Sequence, residues 1–145
     1  MNPEPNYNQL EGGISSSAIV YIIVNRSGRS IETSDEGDNK DRELITAIKS
    51  ELKRGDNCKI AKAGNIVARL HTTTEIDAMK FARVARTTFQ RIEYSYRDDS
   101  ISIGILLYQR HEDECVHKAL RIACELGKKA SKKSGNTIEC LDLVQ

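Results

Sequence analysis

The sequence predicts a mixed α/β fold of the α+β kind, a single, mostly antiparallel sheet with helices packed against it. Three observations lead there. Short apolar or alternating runs of strand length separate three segments with helical periodicity. Their order is strand, helix, hairpin, helix, hairpin, helix, strand, so helices alternate with sheet elements along the chain. The 145 residues, 39% apolar and 30% charged, suit one compact domain of ordinary soluble balance.

Residues 1–16 hold both prolines, a Gly-Gly pair and several Asn and Ser residues. They carry too little apolar surface to offset ordering entropy, so a flexible tail is expected, with the domain proper spanning 17–145. AIVYIIV, Ala18 to Val24, is short, unbroken and β-branched, the pattern of a strand buried on both faces. Residues 25–40 read as a polar loop, acidic in its later half. A helix follows from Asp41 to Lys53, with Leu44, Ile45, Ile48 and Leu52 on one stripe and Gly55 at or just past its C-cap.

CKIAKA and IVARLHTT then make a hairpin around Gly64-Asn65, a pair that tolerates positive φ. Thr73 or Thr74 can cap the next helix, with Glu75 in its first turn. That helix runs to Gln90, with Ile76, Met79, Phe81, Ala82, Val84, Ala85 and Phe89 as its apolar face. RIEYSY and ISIGILLY make a second hairpin about residues 97–100. Glu112 to Lys133 forms a long helix, stopped by Ser134-Gly135-Asn136, and TIECLDL a final strand.

The formal charge of +1 gives no reason to expect nucleic-acid or membrane binding by bulk charge. No apolar run reaches the roughly 20 residues of a membrane span, and Met1 to Gln9 lacks a basic export signal. A cytoplasmic location is expected, with the four cysteines as reduced thiols. His111, Cys115 and His117 lie close in sequence. Cys115 and His117, however, would point to different sides of a helix, so no metal is expected there.

The local motifs resemble those of the GGDEF family, the diguanylate cyclases, whose core is the ferredoxin-like βαββαβ arrangement with a C-terminal hairpin, helix and strand added. Residues 61–92, AKAGNIVARLHTTTEIDAMKFARVARTTFQRI, have the rhythm of the family's hairpin and following helix. SISIGILLY (100–108) resembles its SIGVA strand, and ALRIACELGKKASKKSGNT (119–137) its last helix. Gly37 to Asp56 aligns without a gap to the segment that begins Gly-Asp and closes Arg-x-x-Asp. The likeness covers residues 18–142.

Joining two GTP molecules requires carboxylates that hold Mg²⁺ against the triphosphates. The resemblance puts the strand-end ligand at Ile23, beside Val24 and Asn25, and the acidic signature positions at Ile66 and Val67. It therefore implies a degenerate domain: no catalytic residue, no metal, no cofactor, and no diguanylate cyclase activity. Nucleotide-binding positions carried over are Asp38 for the guanine edge, Gly64 and Asn65 at the hairpin, and Lys132 or Lys133 for phosphate. A tight hairpin needs Gly64 on its own account, and lysines suit a helix C-terminus whatever they bind.

The product-inhibition motif is represented by Lys53, Arg54 and Asp56, with Lys a poorer fork for guanine than Arg. The family's Asn-Asp-x-x-Gly-His box is missing, and SIETSDEGD keeps only its closing Gly-Asp. The resemblance thus implies a protein-interaction or regulatory module in bacterial signalling, as a homodimer or with a partner signalling protein. The alternatives are a non-catalytic sensor of cyclic di-GMP or GTP, and a divergent cyclase using Glu32, Asp35 and Asp38.

Overall fold

The computed structural model describes residues 16–25, 35–61, 64–92, 100–109, 115–133 and 136–144. The elements are β1 (Ser16–Asn25), α1 (Asp35–Ser50), β2 (Asn57–Ile60), β3 (Ile66–Leu70), α2 (Glu75–Ile92), β4 (Ser100–Gln109), α3 (Cys115–Ser131) and β5 (Ile138–Asp142). They build one five-stranded sheet in the order β2-β3-β1-β4-β5. All neighbours are antiparallel except β4 and β5, which run parallel. The α+β expectation and the ferredoxin-like strand order both hold.

β1 is central because both of its faces are hydrocarbon. Ala18, Val20, Ile22 and Val24 join Leu44 and Ile48 of α1, and Ala78, Phe81, Ala82 and Phe89 of α2, in the larger core. On the other face Ile19, with Val67, Leu106 and Tyr108 from β3 and β4, packs on Ala119 and Ala123 of α3. Ser16 starts the strand instead of ending the tail: its carbonyl accepts the Thr73 amide, and the Ser17 hydroxyl donates to the His71 carbonyl at 2.7 Å.

α3 approaches the sheet on a stripe of small residues, Ala119, Ala123, Gly127 and Ala130, all buried. The contact is closest at Gly104 of β4, where a Cβ would stand 2.3 Å from the Gly127 nitrogen and 2.5 Å from the Ala123 oxygen. Only glycine admits helix backbone this near a strand.

Several boundaries differ from the sequence reading. α1 begins at Asp35, inside the segment expected as loop. It ends at Ser50, and Gly55 (φ +92°) lies beyond it, in a turn closed by the Asp56 amide on the Lys53 carbonyl. Arg91 and Ile92, expected in a strand, complete α2, because Ile92 packs against the larger core. The rest of that strand and its turn, residues 93–99, lie outside the described residues. α3 starts at Cys115 and stops at Ser131, so Lys132 and Lys133 stand in the turn after it. Ile76, expected on the buried face of α2, is 78% exposed. It is two residues from buried Ala78, about 200° round the helix.

Thr74 caps α2: its Oγ1 accepts the Asp77 amide at 3.2 Å.

Candidate functional site

The odd positions of β1 face α3, and near the strand's end they meet the β2–β3 turn. Tyr21 stands opposite Val67 and Ile22 opposite Ile66. The turn is fixed by Gly64, whose φ of +76° suits glycine, and by the Ala61 amide on the Asn65 carbonyl at 2.6 Å. Ile66 and Val67, expected from the resemblance at the signature's acidic positions, are hydrocarbon and buried: Ile66 enters the α1/α2 core, and Val67, 7% exposed, enters the α3 core. Ile23 lies against α3, where a Cβ on Gly127 would meet its Cδ1 at 3.2 Å and the Tyr21 carbonyl oxygen at 3.4 Å. The strand-end position is thus packed under a helix.

Tyr21 was missed by sequence reasoning and joins three elements at this point. Burial pushes its phenol pKa up, a hydrogen bond with Cys124 of α3 adds to that, and a hydrogen bond with Asn65 of the turn pulls it down. The signal was a single aromatic hydroxyl inside AIVYIIV, a polar tip that needs a partner once buried. Asn65 therefore has a structural partner here.

Of the two carried-over lysines, Lys133 forms an ion pair with Glu139 of β5. Its hydrogen bond with the carboxyl, and secondarily its charge together with that of Lys129, hold Glu139 below the usual carboxylate range. Lys132 is exposed and, with Lys128, Lys129 and Leu126, lines an open depression of about 360 Å³. This basic end of α3 follows Gly127 and so lies toward the Ile23 end of β1.

Lys53, Arg54 and Asp56 form a separate place. The Lys53 amide donates to Asp56 Oδ2 at 2.8 Å, and the His71 amide to Oδ1 at 2.7 Å. Both carboxylate oxygens thus tie the turn after α1 to the chain leaving β3. His71 lies six residues beyond Asn65, so Asp56 sits about 20 Å from the Gly64 turn at strand rise. Lys53 and Arg54 are exposed. The cavity beside Lys53 and Asp56 measures about 30 Å³, far below the roughly 300 Å³ at which ligand sites begin. Asp38 belongs to α1, not to a loop. The structure brings Gly64 and Asn65 together with the Ile23 end of β1, and keeps the Lys53–Asp56 turn apart.

Among the described residues no group of three or more His, Cys, Asp or Glu side chains could hold a metal ion. His117 is exposed, and Cys58, Cys124 and Cys140 are free thiols. No described helix is long and apolar enough to cross a membrane.

Comparison with known proteins gives a structural answer only. No family model matches the sequence, and no curated protein matches it. Among solved structures, the GGDEF domain of YfiN (TpbB) from Pseudomonas aeruginosa is similar at a TM-score of 0.72 and 17% identity, over 91% of this chain and 80% of that one. The GGDEF domain of DgcB from Caulobacter crescentus, solved in complex with c-di-GMP, is similar at 0.72 and 12%, over 90% and 80%. The diguanylate cyclase SiaD from Pseudomonas aeruginosa, solved in complex with its activator SiaC, is similar at 0.71 and 18%, over 92% and 52%. The chain has the fold of GGDEF domains.

Proposed function

We propose that the chain is a catalytically inactive GGDEF-type domain, a protein-interaction module of cyclic di-GMP signalling that pairs with a second copy or a partner signalling protein. One observation carries the reading: Ile23 lies packed against Gly127 at the end of β1, the place where the resemblance puts a metal ligand. Val67, at a signature position that the resemblance makes acidic, is buried as hydrocarbon in the same core. Phosphoryl transfer between two nucleotides depends on metal ions bridging the phosphates, and hydrocarbon side chains supply neither ligand nor charge.

Interaction with a protein is favoured over sensing by the fate of Asp56. Its oxygens already accept two backbone amides, beside a cavity of about 30 Å³. A guanine base would have to compete for that carboxylate without a pocket. That SiaD was solved with its activator shows a GGDEF-fold protein held by a separate polypeptide. A cytoplasmic location goes with this reading.

The test is calorimetry on the full chain with GTP and cyclic di-GMP, each with Mg²⁺, followed by thermal unfolding at excess ligand. Binding to the folded state raises stability by RT ln(1 + [L]/Kd), about 2.7 kcal/mol at a hundredfold excess over Kd. The expected result is neither heat nor shift. Saturable binding that is lost in Arg54→Ala would replace the module by a sensor.

A further inference from the structure

At the other end of the α3 face, remote from the Gly64 turn, Leu106, Tyr108, Ala119, Ile122 and Leu143 line a partly open cavity of about 280 Å³, with Gln109 and Lys118 at it as well. Its size is at the small end of ligand sites, which begin at about 300 Å³. The even positions of β4 (Gly104, Leu106, Tyr108) face α3, so the Tyr108 side chain projects toward this space. Tyr108 is only 5% exposed, and its hydroxyl has no hydrogen-bond partner among the described residues. A shielded phenol without an acceptor is unfavourable, because the lost hydration goes uncompensated. The lining therefore combines a hydrocarbon body, one unused O–H donor, the Gln109 side-chain amide and one exposed ammonium, with no carboxylate among the described lining residues.

We propose that this cavity binds a small monocarboxylate with a short apolar body. Its carboxylate accepts from the Tyr108 hydroxyl and pairs with the Lys118 ammonium, and its hydrocarbon lies against Leu106, Ile122 and Leu143. A donor that has no partner selects an acceptor, and the lysine selects a negative one. Tyr108 stands opposite Ser17 at the start of β1, six residues before Ile23, about 20 Å along the strand. The site is thus independent of the degenerate hairpin, and its fate does not follow that of the interaction-module reading.

Octanoate is the probe, titrated into the full ¹⁵N-labelled chain and followed by amide chemical shifts. Saturable shifts should cluster at Tyr108, Ala119 and Ile122. Tyr108→Phe should weaken octanoate at least tenfold without lowering the melting temperature, since it removes a hydroxyl that has no partner. Lys118→Ala should weaken it about threefold, because that charge is exposed and screened. Octanol, of similar length but neutral, should bind at least tenfold more weakly than octanoate. Absence of saturable shifts at this cavity overturns the proposal. So does equal affinity in Tyr108→Phe, or octanol binding as tightly as octanoate.

Discussion

Adding one methyl group at Gly104 tests how α3 is held on the sheet. The new Cβ would lie 2.3 Å from the Gly127 nitrogen, 2.5 Å from the Ala123 oxygen and 2.8 Å from the Leu126 carbonyl carbon. All three are backbone atoms of one helix, so no side chain can rotate away. The helix must retreat by about 1 Å to restore ordinary contact near 3.5 Å. That retreat loosens Ala119 and Ala123 from Ile19, Val67, Leu106 and Tyr108 together. Overpacking costs about 1–3 kcal/mol where side chains can adjust. Here Gly104→Ala should cost about 3 kcal/mol or more, a large share of the roughly 5–15 kcal/mol that holds a domain folded. Gly127→Ala is the control. The nearest neighbours of its Cβ would be the movable Ile23 Cδ1 at 3.2 Å, the Tyr21 carbonyl oxygen at 3.4 Å and the Ile23 Cγ1 at 3.5 Å. Replacing a helical glycine by alanine also gains about 1 kcal/mol in propensity. The control should therefore stay within about 1 kcal/mol of the parent. Urea denaturation with shared slopes reads both variants. A Gly104→Ala midpoint equal to that of Gly127→Ala would refute the close approach of α3 to β4.

Asp56→Ala should cost about 2–3 kcal/mol in urea denaturation, because two backbone amides lose a charged acceptor. Thr74→Ala should cost about 1 kcal/mol by the same assay, through loss of the α2 cap. Burial first, then the charges of Glu75 and Asp142, push the Cys140 thiol up to about 11. The folded chain favours the protonated thiol, so its contribution is full below the ordinary thiol pKa of about 8.5 and is lost as pH rises toward 11. Iodoacetamide labelling of Cys140 should accordingly rise with pH to a midpoint near 11; a midpoint near 8.5 would contradict the burial.

The core was legible because its residues obey local periods. AIVYIIV could only be a strand covered on both faces, and the sheet places it at the centre. The cap at Thr74 and the positive φ at Gly64 follow from side-chain and backbone chemistry within a few residues. The start of α1 was obscured by Gly37 and Asn39, weak helix formers that the rest of the helix carries. Alternation in RIEYSY suggested a strand, yet Ile92 gains more by completing the α2 face against the core.

At the site, Gly64, Asn65, Ile66 and Val67 could be placed from one hairpin. The roles of Asp56, Tyr21 and Gly127 could not. Asp56 is fixed by the His71 amide 15 residues away, Tyr21 by Cys124 on α3, and Gly127 by β1. No local period encodes such pairings; they arise only when elements far apart in sequence meet, α3 on the sheet for Tyr21 and Gly127, and the end of β3 beside the turn after α1 for Asp56.

The most direct measurement is turnover: the full chain incubated with GTP and Mg²⁺ or Mn²⁺, with nucleotides separated by anion-exchange chromatography. With Ile23, Ile66 and Val67 at the positions where the resemblance puts metal ligands, the inactivity we propose predicts GTP recovered intact with no linear or cyclic dinucleotide. Dinucleotide formation that scales with enzyme concentration would contradict it, and would mean that carboxylates elsewhere in the chain assemble a metal site.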